Sequence, residues 1–141
     1  ATSNIIDKKI AHNAEPDVFC KLVPFWQLKL YMHDALGKTD FYKDVYEAIR
    51  NSPDPVTEGA CQLQFVKIAC EKANLDLTAF FEAWGFLKAV DIELDDYGVG
   101  KFTITQQQID NLISEITAKA YPKPKHNNIQ YINDNNIADY K

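Results

Sequence analysis

A chain of 141 residues with 46% apolar, 12% aromatic and 25% charged side chains is composed like a globular domain, which excludes the collagenous and disordered classes. A formal charge of −5, with no basic stripe, excludes a surface that tracks nucleic-acid phosphates, and the Lys123 and Lys125 pair is too short a patch for an anionic membrane. No apolar run approaches the ~18 residues of a membrane span.

The opening ATSNIIDKK has no apolar signal-peptide core and does not start with Met. Residues 1–16 are therefore expected to be a lead-in from a missing upstream region, and residues 17–141 a single helical domain. Asp17 to Leu36, DVFCKLVPFWQLKLYMHDAL, is the organising stretch: Leu22, Phe25, Trp26, Leu28, Leu30, Met32 and Leu36 cover well over half of a helical wheel. So wide an arc predicts packing on more than one side, with Gln27, Tyr31 and Asp34 on the remaining side. Lys29 and His33 fall inside the arc and must reach water, partners or a cleft. Asp17 can cap this helix; Pro24 predicts a kink, with the regular helix starting near Val23, and Gly37 ends it.

Thr39 or Asp40 can cap a second helix with a Phe41, Val45, Ala48 and Ile49 stripe. Asp54 with Pro55 is expected to start the third, whose apolar face runs from Val56 to Ala73. Asp76 caps a short fourth helix that buries Leu77, Phe80, Phe81 and Trp84 and stops at Gly85. These four helices occupy 17–87. Across 88–105 the apolar period falls to two, with Val90, Ile92 and Leu94 followed by Phe102 and Ile104, which predicts a β-hairpin. Thr105 and Gln108 form a capping box for a helix over 105–120 with Ile109, Leu112, Ile113 and Ile116 inward. Residues 121–141 read as an irregular tail with a β-prone run at Ile129–Ile132. The expected fold is mainly α: a compact bundle of about five helices with one small hairpin near the C-terminal third.

Candidate chemistry is sparse. Cys20, Cys61 and Cys70 read as small buried hydrophobes; the last two lie about 13 Å apart along one helix, too far for a disulfide. No two of His12, His33 and His126 have the i, i+4 spacing that pairs imidazoles for zinc. A Cys20 and His33 nucleophilic pair would be about 19 Å apart on a regular helix. Asp91, Glu93, Asp95 and Asp96, or Asn133 to Asn136 with Asp139, could offer oxygens to calcium, yet neither has the twelve-residue loop spacing. Trp26, Trp84, Tyr31, Tyr42, Tyr46 and Tyr97 read first as core, with Tyr97 in the hairpin turn the one expected to be exposed.

Three stretches, PDVFCKLVPFWQLKLYMHDALGKTDFYKDVYEAIR, QLQFVKIACEKANLDLTAFFEAWGFL and DYGVGKFTITQQQIDNLISEI, resemble in order the C-terminal helical part of the enhancin-like, mucin-targeting zinc metallopeptidases of the gluzincin type found in gut bacteria. In that family an HExxH helix and a later glutamate hold zinc, and the HExxH glutamate activates water. This sequence has no HExxH, so no catalytic or metal residue carries over. The resemblance implies a non-catalytic subdomain forming part of the substrate-cleft wall, with zinc held elsewhere in the full-length protein. The implied partners are the upstream catalytic part of the same polypeptide and a glycoprotein substrate, and the implied setting is secreted or cell-surface. This chain alone is expected to be inactive. Gln27, Lys29, His33 and Tyr97 are the substrate-cleft candidates. The alternative is a stand-alone helical interaction or glycan-binding module of a surface protein.

Overall fold

The computed structural model describes residues 5–14, 18–55, 57–94, 100–126 and 128–141. Among them the architecture is mainly α, with one two-stranded antiparallel hairpin. The helices are α1 (Val18–Leu28), α2 (Phe41–Arg50), α3 (Glu58–Ala73), α4 (Thr78–Ala83) and α5 (Gln106–Lys119), and a π-helical segment, Lys29–Ala35, continues α1. The hairpin pairs β1 (Val90–Leu94) with β2 (Gly100–Ile104).

The organising stretch carries its apolar arc the other way round from the expected phase. At roughly 100° per residue, Lys29, Leu22, His33 and Trp26 share one narrow sector. That sector faces water: Leu22 is 53% and Trp26 50% exposed, and the Lys29 and His33 side chains 35% and 43%. Gln27 and Tyr31, expected on the polar side, are instead 4% and 1% exposed. Burying an ammonium costs several kcal/mol, whereas half-exposing a Trp and a Leu costs about 1–3 kcal/mol together. Keeping Lys29 and His33 in water therefore favours this phase, and the aromatic residue goes with them.

Pro24 lies within α1 and is buried; the helix runs through it from Val18 rather than starting near Val23. The irregular turn lies further on, in the π-segment, where Leu36 N–H donates to the Tyr31 carbonyl five residues back at 2.9 Å. Gly37, at φ +73°, then stops the helix, with Lys38 N–H bonded to the Met32 carbonyl.

Helix α3 begins four residues beyond the expected Asp54 start. Thr57 is the cap, its hydroxyl accepting from Ala60 N–H at 3.1 Å, because two closely spaced prolines favour extended backbone on the residues before them. Gly59 sits where this helix crosses β2: a Cβ there would lie 2.1 Å from the Thr103 carbonyl oxygen. Asp76 Oδ1 accepts from Thr78 N–H at the head of α4, and Leu77, Phe80, Phe81 and Trp84 are all buried. The hairpin register sets Val90 opposite Ile104 and Ile92 opposite Phe102, and buries Phe102 and Ile104 beneath an outer face of Asp91, Glu93, Lys101 and Thr103. The Thr105–Gln108 capping box is complete in both directions.

The first and last described segments, 5–14 and 128–141, both join the core. Ile5 is fully buried, and the 5–14 segment is pinned at Gly85, whose carbonyl accepts from His12 N–H at 3.0 Å. His12 Nε2 donates to the Lys21 carbonyl at 2.8 Å, and its ring packs 4.3 Å from Phe86. Burial in this apolar surround lowers the imidazole pKa to about 4. The Ile129–Ile132 run is not a strand: Ile129–Tyr131 is a 3-10 turn, whose three-residue repeat puts Ile129 and Ile132 on the same buried side.

Two predictions follow from this packing. Gly59→Ala forces α3 against backbone and should cost about 1–3 kcal/mol in thermal or urea unfolding; an unchanged midpoint would show that the helix–hairpin contact is loose. His12 is neutral in the fold, and its pKa is lower folded than unfolded. Its contribution to stability is therefore complete above about pH 6.5 and lost as the pH falls toward 4, on the order of 3 kcal/mol. Urea midpoints of wild type and His12→Phe should converge across that window, and parallel curves would contradict the assignment.

Candidate functional site

The solvent-facing sector of α1 and the π-segment gathers the polar chemistry that the chain exposes on its organising helix. Lys29 Nζ bonds both oxygens of Asp34, at 2.9 and 3.0 Å, and His33 Nδ1 meets Asp34 Oδ1 at 2.7 Å. The bond from Lys29, then that from His33, holds the Asp34 carboxyl below the usual carboxylate range. Lys29 also lies 4.9 Å from the Trp26 ring centroid, a cation–π distance. On the other edge of the indole, Trp26 Nε1 donates to Asp134 Oδ1 at 3.2 Å, and the turn carrying Asp134 is closed by Asn133 and Asn136. The result is a half-exposed aromatic ring contacted by one cation and one carboxylate, with Asp34 and His33 joined to it through Lys29.

The cleft candidates separate. Lys29 and His33 stand together on this face. Gln27 does not reach the surface: its amide N–H groups bond the Gln130 and Ile132 carbonyls at 2.7 and 3.1 Å, and its carbonyl accepts from Trp84 Nε1 at 2.7 Å. Tyr97 lies outside the described residues. Sequence reasoning missed Trp26, Asp34 and Asp134 as members of the face. The signal was available in part, since Trp26 shares its helical sector with Lys29 and His33; the Asp134 contact, across 108 residues, was not.

Of the other aromatics, Tyr31 and Trp84 are core while Tyr46 is 60% exposed and stacked on Tyr42. Cys20 and Cys70 are buried as expected, but Cys61 is exposed, because nine residues along a helix turn a side chain to the opposite face. Asp91 is engaged by Thr103 and Lys101. Among the described residues no three His, Cys, Asp or Glu side chains converge to hold a metal ion, so they do not fit a zinc cage. No described helix is long and apolar enough to cross a membrane.

Comparison with known proteins places the fold. A structure of a metallopeptidase in complex with Tn antigen is 32% identical and superposes with a TM-score of 0.76 over 88% of this chain and 24% of its own. A metallopeptidase from Bacteroides thetaiotaomicron is 29% identical, with a TM-score of 0.80 over 94% of this chain and 24% of its own. The chain thus spans about a quarter of the length of these two relatives. No curated protein sequence matches it. The model of peptidase M60, enhancin and enhancin-like, matches residues 2–85, more than half of the 141. With fold and sequence in agreement, the chain belongs to the enhancin-like M60 peptidase family.

Proposed function

We propose that this chain is a non-catalytic C-terminal helical subdomain of a glycoprotein-directed zinc metallopeptidase, and that the Trp26, Lys29, His33 and Asp34 face forms part of its substrate-cleft wall. The observation that carries the reading is the family membership, joined to a 32% identical relative solved with Tn antigen. In this reading the zinc and the water-activating glutamate belong to the rest of the polypeptide. The chain's own residues supply a rigid wall: Lys29 and His33 offer hydrogen-bond donors, Asp34 orients both, and Gln27 braces the helix from behind. The substrate is a glycoprotein outside the cell, met by a secreted or surface-held enzyme.

A stand-alone interaction or glycan-binding module is the second reading, favoured by the exposure of Leu22, Trp26, Tyr46 and Tyr131. The two readings part on turnover. In the longer enzyme, Lys29→Ala and His33→Ala should each lower kcat/KM on a short glycopeptide about tenfold at unchanged zinc content. Unchanged turnover with lost retention on intact glycoprotein would favour the module, and unchanged values of both would remove this face from the function.

A further inference from the structure

We propose that Trp26 is the sugar-stacking residue of this face, with Asp134 and Lys29 as its positioning residues; the inference deepens the cleft-wall reading and rests on it. The phase of α1 places Trp26 outward, 50% exposed beside the similarly exposed Leu22. The ring is nevertheless held. Asp134 fixes the indole N–H at 3.2 Å, and Lys29 sits 4.9 Å from the ring centroid while itself bound through both Asp34 oxygens. Two independent restraints, one from the C-terminal segment and one from the π-segment, remove rotamer freedom that a free surface tryptophan would lose on binding.

Trp26 and Leu22 are each half exposed, and the groups bonded around them are polar. A pyranose has the complementary form: a C–H face that packs on an aromatic ring, and equatorial or axial hydroxyls that donate to carboxylates and accept from cations. Asp34 and Asp134 supply acceptors, Lys29 supplies donors, and His33 stands beside them. The wider apolar patch that a protein interface requires is only begun by Leu22.

The chain carries its own control, because its other tryptophan, Trp84, is fully buried and bonded to Gln27. In a titration with a Tn-antigen glycopeptide followed by 15N NMR, the Trp26 indole N–H should shift while that of Trp84 stays in place. Trp26→Ala should weaken the affinity about tenfold or more, with Trp26→Phe keeping part of it. Asp134→Ala should weaken binding, and Asp134→Asn, whose amide oxygen still accepts from the indole, should restore it; a purely structural role would not discriminate the two at equal stability. Equal shifts with the unglycosylated peptide overturn the inference, as does a Trp26 signal that the glycopeptide leaves unmoved. Either result leaves the cleft-wall reading to the Lys29 and His33 turnover measurements, which do not depend on Trp26.

Discussion

The structure depends on one buried amide. Gln27 joins three segments distant in sequence: its own helix α1, the end of α4 through the Trp84 indole, and the C-terminal segment through the carbonyls of Gln130 and Ile132. Short 3-10 turns leave backbone carbonyls without ladder partners, and a fully buried indole needs an acceptor. One side chain satisfies all of these at once. In a low-dielectric interior such a bond set is strong when complete, and each abandoned partner would cost about 1–3 kcal/mol. The same bonds set the rotation of α1. With Gln27 turned inward, Trp26, Lys29 and His33 have no choice but the opposite side, so the chemistry of the exposed face follows from a contact inside the core.

This dependence explains what the sequence made legible. Local signals did well where they act alone: Asp76 before Thr78, the Thr105 and Gln108 box, Gly85 after α4, and the period-two alternation on either side of the hairpin turn all correspond to observed elements. Each is a short-range hydrogen bond or a backbone preference. The phase of α1 was not legible from apolar counting, because a helix apolar almost all round has no unique inward side. It is decided by which polar groups can be satisfied within, and Gln27 meets its partners across 57, 103 and 105 residues of chain. The C-terminal segment was misread for the same reason: Ile129 and Ile132 are equally spaced for a 3-10 turn, and burial against α1 and α4 selects it.

The face itself was half visible. Lys29 and His33 stood out as polar intrusions, while Asp34 was assigned to the other side of the helix and Asp134 was read only as part of a turn. The π-segment contributes here, since its wider turns advance each residue less around the axis and bring His33 and Asp34 toward Lys29. Irregular helical geometry of this kind costs stability and is common at functional positions.

The chain belongs to the M60 peptidases, and among its described residues no three metal-ligating side chains converge. In the proposed reading such a helical scaffold contributes shape, donors and acceptors, and the reacting ion is held elsewhere in the polypeptide. The most direct measurement is a structure of the longer enzyme with zinc and a bound glycopeptide. The account predicts that the ligand touches the Trp26 to Asp34 face while every zinc ligand comes from outside these 141 residues. A zinc ligand contributed by this chain, or a glycopeptide seated away from that face, would contradict it.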